Sequence, residues 1–123
     1  MGNPVMYFEI VGKDAPKVRA FFAEAFGWKI GDLGPGPGLP DYTQVDTATG
    51  AGINGGIGSS PEGYDGHVTF YIHVDDVAAT LDAVEKCGGT RMMGPDPIPG
   101  GMVIALFRDP AGNTIGLVSG GAA

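Results

Sequence analysis

The chain has 123 residues, a length typical of one domain that buries its own core. Its composition, with 43% hydrophobic and 17% charged residues, is that of a globular protein, and its single cysteine excludes an internal disulfide. The net charge of −7 argues against nucleic acid or an anionic membrane as a partner and favours a neutral or cationic ligand. We expect a cytoplasmic protein, because no signal-peptide-like or membrane-spanning segment is found.

The first half predicts one helix among several extended segments. Residues 6–11 alternate between apolar and polar side chains, as in a half-buried strand. Asp14 and Pro16 predict the start of a helix that ends near Gly27. The remaining segments of this half are an extended piece at 28–30, a Pro/Gly loop at 34–40, and strands at 42–47 and 52–57.

The segment 67–74 follows a polar linker and predicts a strand with two different faces. Successive side chains of a strand point to opposite faces of a sheet. The apolar face, which we expect to pack under helices, consists of Val68, Phe70, Ile72 and Val74. The polar face, which is typical of a ligand cavity, consists of His67, Thr69, Tyr71 and His73.

The rest of the chain repeats the order of elements in the first half. It predicts a helix at 76–87, an extended piece at 90–93, a Pro/Gly loop at 95–101, and strands at 102–108 and 113–118. Adding 62 to residue numbers of the first half relates Phe8 to Phe70, Asp14 to Asp76, Gly27 to Gly89 and Gly50 to Gly112, with no gap. The prediction is a single domain over 1–123 that contains two βαβββ modules, at about 4–58 and about 66–119.

A tandem βαβββ repeat resembles the vicinal oxygen chelate superfamily, which includes glyoxalase I, bleomycin-resistance proteins and extradiol dioxygenases. The strings that carry the resemblance are Phe26-Gly27-Trp28, Val74-Asp75-Asp76, Gly88-Gly89 and the Asp-Pro-Ala-Gly-Asn run at 109–113. The resemblance implies an α+β fold whose strands form a curved, cup-shaped mixed sheet with the helices outside. It also implies a homodimer, and the Phe-Gly-Trp string is similar to that of a subtype of small glyoxalase-like proteins.

The resemblance also indicates where a metal would bind. In metal-dependent members, the first and fourth strands of each module supply His and Glu ligands to a divalent ion. The corresponding positions here are Tyr7, Asn54, Thr69 and Gly116. None of these side chains is a good ligand for such an ion, so no metal and no other cofactor is expected. A relocated metal on Glu9 and His73 is the minor alternative, because a third ligand is missing.

Seven residues are predicted to line a ligand site in the sheet: Tyr7, Glu9, Trp28, Asn54, Thr69, Tyr71 and His73. We expect Glu9 to meet Tyr71, either with Glu9 as a general base or as a purely structural hydrogen bond. His67 is predicted at the rim of the sheet, and Cys87 is predicted to be inert. Trp28, together with Tyr42 and Phe107, either walls an apolar pocket or closes the core.

Three functions are compatible with these features. The leading expectation is a glyoxalase-like or bleomycin-resistance-like protein that binds a small organic molecule without a divalent metal. The second is a lyase, isomerase or dioxygenase of the same superfamily that uses a non-standard metal or none, with Glu9 as base. The third is a dimeric regulatory or interaction module without a ligand.

Overall fold

Each half of the chain forms one β-α-β-β-β module in the computed structural model, which describes residues 2–33 and 41–120. The first module consists of β1 (Val5–Gly12), α1 (Ala15–Phe26), β2 (Lys29–Leu33), β3 (Tyr42–Asp46) and β4 (Gly55–Ser59). The second consists of β5 (His67–His73), α2 (Val77–Lys86), β6 (Thr90–Ile98), β7 (Met102–Arg108) and β8 (Thr114–Ser119). The α+β class and the tandem organisation are therefore as predicted, while the predicted loop at 34–40 lies outside the described residues.

The described residues divide into two compact units that differ slightly from the modules. One unit spans Tyr7–Val68, and the other combines Met1–Met6 with Thr69–Ala123. The first two residues of β5 therefore belong to the unit that contains most of the first module. This assignment places His67 in the same unit as Glu9.

Each module contains a four-stranded mixed sheet with one parallel pair. The strand order is β2-β3-β4-β1 in the first module and β5-β8-β7-β6 in the second. The parallel pairs are β1 with β4, where Glu9 lies opposite Gly56, and β5 with β8, where Tyr71 lies opposite Gly116. The other pairs within these sheets are antiparallel.

The cap predicted at Asp14 is confirmed, and Asp76, its counterpart in the repeat, caps the second helix in the same way. The Asp14 carboxylate accepts a hydrogen bond from the Lys17 N–H, and that of Asp76 accepts one from the Ala79 N–H, so each satisfies an N–H that the first turn leaves unpaired. Helix α1 ends at Gly27, whose φ of 72° lies in the left-handed region that glycine adopts without strain. Within the described residues, neither helix has the length and apolar character needed to cross a membrane.

Each module buries its own apolar cluster under its helix. The first cluster has Ala15, Val45 and Ile57 at its centre, with Phe8, Ile10, Val18, Phe22, Trp28 and Ile30 packed around them. The second has Val74, Val77, Leu81, Ala105, Phe107 and Leu117 at its centre, with Ile72, Val84, Val103 and Ile115 around them. The two clusters share no residue.

The apolar face predicted for β5 is only partly covered. Ile72 and Val74 belong to the cluster under α2, as expected. Val68 is 77% exposed and Phe70 is 37% exposed, so the expectation that they pack under a helix is wrong. The reason is that α2 covers only the end of β5 from which the chain enters the helix.

The predicted loop at 95–101 is also wrong over its first half, because β6 continues to Ile98. Asp96, Pro97 and Ile98 pair with β7, although the register shifts twice along this pair. Strand β6 is the last in the strand order of its module, and an edge strand tolerates proline because one side of it needs no N–H donor.

Candidate functional site

The polar face of the first module's sheet contains a connected set of hydrogen bonds centred on Glu9. This carboxylate is 2% exposed. Its Oε1 accepts a hydrogen bond from the Tyr42 hydroxyl at 3.0 Å, and its Oε2 lies 2.6 Å from His67 Nε2. Burying a carboxylate without partners costs several kcal/mol of folding free energy. Removing one partner of a buried ion pair costs roughly 3–5 kcal/mol. The two contacts therefore fix Glu9 in place.

His67 joins Glu9 to the segment before β5. Its side chain is 8% exposed, so the predicted position at the rim is wrong. The Nδ1 atom lies 2.6 Å from the Tyr64 hydroxyl. Gly66 precedes β5 and has a φ of 102°, which favours glycine. Its backbone lies so close to β1 that a Cβ on Gly66 would overlap the Val11 carbonyl. This approach places His67 beside Glu9.

Two phenols and an amide extend the set away from Glu9. The Tyr7 hydroxyl lies 2.9 Å from that of Tyr42 and 3.0 Å from Gln44 Oε1. A phenol has a single proton to donate, so at a given moment Tyr7 donates a hydrogen bond either to Gln44 or to Tyr42. The contacts run in sequence from Gln44 through Tyr7, Tyr42, Glu9 and His67 to Tyr64.

Burial keeps both phenols protonated. It raises the pKa of Tyr7 to about 12, with a smaller contribution from the Glu9 charge, while the hydrogen bonds that Tyr7 forms with Tyr42 and Gln44 act in the opposite direction. Burial, followed by the charge of Glu9, raises the pKa of Tyr42 far above its ordinary value. At neutral pH both side chains are therefore hydrogen-bonding phenols, and neither offers a phenolate to a metal.

A glycine lies opposite the central residue of the polar face in each module, and a tyrosine ring fills the space above it. A Cβ at Gly56 would overlap the Tyr42 phenol. In the second module, a Cβ at Gly116 would lie 2.6 Å from the ring of Tyr71. Both tyrosines are buried, so each ring occupies the volume that a longer side chain would take.

The strand register corrects the predicted repeat. Val45 pairs with Gly55 in the first module, whereas Phe107 pairs with Ile115 in the second. The connection from the third to the fourth strand of the module is thus two residues longer in the first module, and the gap-free shift of 62 fails at this turn. The residue equivalent to Gly116 is Gly56, not Asn54.

Asn54 instead stabilises that longer turn. Its Oδ1 accepts hydrogen bonds from the N–H of Thr47 at 3.0 Å and from the Thr47 hydroxyl at 3.2 Å. It also lines a groove of about 250 Å³ beside Gln44, together with Lys29, Ile30, Gly31, Val45 and Asp46. Asn54 therefore lies next to the outer end of the polar set rather than at a metal position.

These residues do not fit the divalent metal that the fold family implies. The two fourth-strand positions are glycines covered by rings, and the phenol of Tyr7 is held protonated and hydrogen bonded. Among the described residues, no group of three or more His, Cys, Asp or Glu side chains is placed to hold an ion. The donor set thus offers no cage of the kind that a catalytic divalent ion requires.

The predicted site residues on β5 have structural contacts within the compact unit that contains Met1–Met6 and Thr69–Ala123. The Thr69 hydroxyl donates a hydrogen bond to the Thr114 carbonyl at 2.6 Å, which ties β5 to β8. Tyr71 is buried over Gly116, and the expected contact between Tyr71 and Glu9 stays a prediction. His73 is half-buried at the end of β5, where its N–H donates to the Pro4 carbonyl.

Trp28 and Phe107 belong to the cores. Trp28 stacks on Phe22 with ring centroids 4.8 Å apart and contacts Phe8 at 5.3 Å, so it lies on the helix side of the sheet, opposite Glu9. Phe107 packs in the cluster under α2. Of the two alternatives for Trp28, core packing is therefore correct, and it does not line the polar face.

Sequence reasoning missed Tyr64 and Gln44 and gave Tyr42 a different role. Gln44 lies two residues from Tyr42 on β3, and this spacing places both on one face. Tyr64 lies in a turn where its N–H donates to the Pro61 carbonyl, and no periodicity marks such a residue. The available signal for Tyr64 is its spacing of three residues from His67, with the left-handed Gly66 between them.

Comparison with protein families identifies one matching family model. The model of the glyoxalase/bleomycin resistance protein/dioxygenase superfamily matches residues 5–117. A glyoxylase-like domain-containing protein of Didymella fabae is 31% identical over 115 residues, which cover 86% of this chain and 85% of that protein. A putative glyoxylase, CFP32, of Mycobacterium bovis is 33% identical over 107 residues, which cover 85% of this chain but only 41% of that protein.

Solved structures of low sequence identity share the fold. A hypothetical protein of Bacillus halodurans superposes with a TM-score of 0.73 at 14% identity, covering 100% of this chain and 98% of the other. A variant of methylmalonyl-CoA epimerase from Streptomyces coelicolor, in complex with 2-nitronate-propionyl-CoA, gives 0.70 at 16% identity, covering 100% and 98%. At such identities the comparison supports the architecture and not a shared reaction.

Proposed function

The chain belongs to the glyoxalase/bleomycin resistance protein/dioxygenase superfamily, and from this premise we propose that it binds a small organic molecule at the polar face of its first module without a divalent metal. The observation that carries the proposal is the replacement of metal ligands by rings and glycines. In metal-dependent members of the family, the fourth strand of each module provides metal ligands. The corresponding residues of this chain are Gly56 and Gly116, and the rings of Tyr42 and Tyr71 cover them.

The polar face is suited to an uncharged ligand that forms hydrogen bonds. Both oxygens of Glu9 are bonded by groups of the protein, so this carboxylate is not presented to a cation. The side chains that reach the surface from the set are Gln44, which is exposed, and Tyr7 and Tyr64, which are half-buried. An amide and two phenols recognise hydroxyl, carbonyl and aromatic groups. The groove beside Gln44 gives a small molecule access to one end.

Metal analysis and ligand screening test this proposal together. Purified protein should contain no stoichiometric divalent metal, and chelators should leave its thermal unfolding midpoint unchanged. A panel of neutral, cationic and anionic small molecules, measured by thermal shift, should give stabilising compounds concentrated among the neutral members. Gln44→Ala should reduce the shift caused by the best compound, whereas Glu85→Gln, an exposed position on α2, should not. A tightly held stoichiometric metal, or stabilisation confined to anions, would contradict the proposal.

The second candidate is a metal-independent lyase, isomerase or dioxygenase of the same superfamily. The observation in its favour is the placement of a phenol, an imidazole and a carboxylate in hydrogen-bond contact at Tyr64, His67 and Glu9. If Glu9 is the base, Glu9→Gln should abolish turnover and leave the affinity for the substrate nearly unchanged. Equal loss of affinity and turnover would assign Glu9 to the structure of the site instead.

Four further properties complete the proposal. The protein is cytoplasmic, forms a homodimer, has no nucleic-acid or membrane partner, and belongs to the subtype marked by the Phe26-Gly27-Trp28 string. Sedimentation velocity measures the oligomeric state directly. A dimer that shows no thermal shift with any small molecule would favour the remaining alternative, a regulatory or interaction module without a ligand.

A further inference from the structure

We infer that Tyr64, His67 and Glu9 form a proton relay, in which His67 accepts the proton of the Tyr64 phenol and Glu9 positions the imidazole. The relay would act on a small molecule that presents a hydroxyl group. The identity of the ligand group that donates its proton to Tyr64 rests on the proposed function, because the ligand has to reach Tyr64. The relay itself rests only on the contacts among the three side chains.

The distances and burial favour a relay over three independent contacts. Tyr64 and Glu9 bond to opposite nitrogens of one imidazole, both at the short distance of 2.6 Å. Glu9 and His67 are buried, while Tyr64 is half-buried. The outer member is thus the one that a ligand can reach, and the inner members are shielded from water.

The carboxylate determines which nitrogen of His67 carries the proton. An ionised carboxylate only accepts hydrogen bonds, so Nε2 must donate to Glu9. In the neutral ring, Nδ1 is then left with a lone pair directed at the Tyr64 hydroxyl. A hydroxyl is activated when it contacts a base that a third group orients. Here the hydroxyl is that of Tyr64, the base is His67 and the orienting group is Glu9.

The relay specifies one proton-transfer step. When the Tyr64 proton is directed at His67, the phenol oxygen can only accept, so the matching ligand group is a donor such as a hydroxyl. The ligand O–H bond breaks as an O–H bond forms at Tyr64, and the original Tyr64 proton moves to Nδ1. The products are a ligand oxyanion and an imidazolium paired with Glu9. The step needs no oxidant, reductant or metal.

Acetylation by N-acetylimidazole tests the relay without any ligand. The Tyr64 oxygen attacks the acetyl carbon as its proton passes to His67, and the C–N bond to the leaving imidazole breaks. His67 then gives the proton to the leaving nitrogen, so that neutral imidazole departs and His67 is neutral again. The acetylation rate of the Tyr64 peptide, followed by mass spectrometry, should fall at least about tenfold in His67→Gln, a conservative bound for the loss of a general base. Glu9→Gln should lower the rate to a smaller extent, and Glu85→Gln should leave it unchanged. An unchanged rate in folded His67→Gln would overturn the inference.

A measurement on the unmodified protein covers the case in which His67→Gln does not fold. Nitrogen-15 NMR of the imidazole, at the pH of the acetylation reaction, should find the proton on Nε2 and none on Nδ1. A proton on Nδ1, in the other tautomer or in the imidazolium, would also overturn the relay, because His67 could not then accept from Tyr64. Either result is independent of the ligand screen and of the metal analysis.

Discussion

Gly56 determines how the polar face of the first module is packed, because its lack of a side chain leaves room for the Tyr42 ring. Tyr42 crosses from β3 over β4 to reach Glu9 on β1, and the crossing is possible because β4 has no side chain at this position. In the second module, Tyr71 on the neighbouring strand β5 also places its ring over a glycine, Gly116. A glycine in the middle of a strand costs conformational entropy, and here the close approach of a ring compensates for that cost.

Gly56→Ala should therefore destabilise the protein by about 1–3 kcal/mol, the usual cost of forcing an extra group into a packed site. The new Cβ would displace the Tyr42 phenol and break its hydrogen bond to Glu9. Urea unfolding measures the effect. Gly12→Ala is the matched control on β1, because a Cβ there meets nothing within 4 Å. Equal effects of the two substitutions would show that Tyr42 is not constrained by Gly56.

The raised pKa of Tyr7 predicts a loss of stability at alkaline pH. A tyrosine in the unfolded chain loses its proton near pH 10, whereas Tyr7 in the folded protein keeps it until about pH 12. The unfolded state thus binds fewer protons in this window, and the contribution of Tyr7 is fully present below pH 10 and is lost as the pH rises to 12. Tyr7→Phe should make the unfolding free energy fall less steeply over this window. A slope identical to that of the parent protein would contradict the assignment.

At the scale of elements, one ion pair fastens α1 to the sheet of the first module. Arg19 Nη2 lies 3.0 Å from Asp41 Oδ1, and the Arg19 side chain is only 11% exposed. The geometry is that of an ion pair without a good hydrogen bond, since Asp41 Oδ1 has no hydrogen-bond partner among the described residues. The Ser59 hydroxyl donates to Asp41 Oδ2, and the Ser59 N–H donates to the Asp41 carbonyl. Helix α1 and strand β4 are thus joined through Asp41, which directly precedes β3.

Arg19→Met should cost about 2 kcal/mol, less than the roughly 3–5 kcal/mol for breaking a fully buried pair, because Asp41 keeps some contact with water. The loss should be largely recovered in Arg19→Met combined with Asp41→Leu, which removes the unpaired charge. Lys13→Met is the matched control, since the side chains of Lys13 and Asp65 are exposed and Lys13 Nζ lies 4.0 Å from Asp65 Oδ1. Thermal unfolding distinguishes the outcomes. A double variant less stable than Arg19→Met would mean that Asp41 contributes through its contacts with Ser59 instead.

The elements that could be predicted from the sequence are those with a local signal. The caps at Asp14 and Asp76, the helix end at Gly27 and the alternation of β1 and β5 are each encoded within a few residues. The strand predicted at 52–57 instead begins at Gly55, because Asn54 is bound to Thr47 across a turn. That interaction joins residues whose pairing depends on the fold.

The candidate site was less predictable for the same reason. Parity on β1 correctly places Tyr7 and Glu9 together, and family resemblance points to Gly116. The partners of Glu9 come from β3 and from the start of β5, and no spacing along the chain specifies which residues meet. A two-residue difference in one turn was sufficient to assign Asn54 to a position that belongs to Gly56.

At the scale of the whole chain, the described residues form two apolar clusters that share no residue. Leu81 is fully buried in the cluster under α2, and Ile57 is fully buried in the cluster under α1. Leu81→Ala should cost about 2–5 kcal/mol and Ile57→Val about 0.5–1.5 kcal/mol, as for other truncations in well-packed cores. Each value depends only on how well its own cluster can collapse around the lost methyl groups.

Because the two clusters have no common member, the double variant Leu81→Ala with Ile57→Val should lose the sum of the single losses, within about 0.5 kcal/mol. A matched pair within one cluster, Leu81→Ala with Leu117→Ala, should depart from additivity, since both residues belong to the cluster under α2. The unfolding free energies from urea titration give both coupling energies. The contrary outcome is a coupling energy between Leu81 and Ile57 as large as that between Leu81 and Leu117. It would mean that the two clusters do not respond independently to substitution, and that the division into two packing units does not describe the stability of the protein.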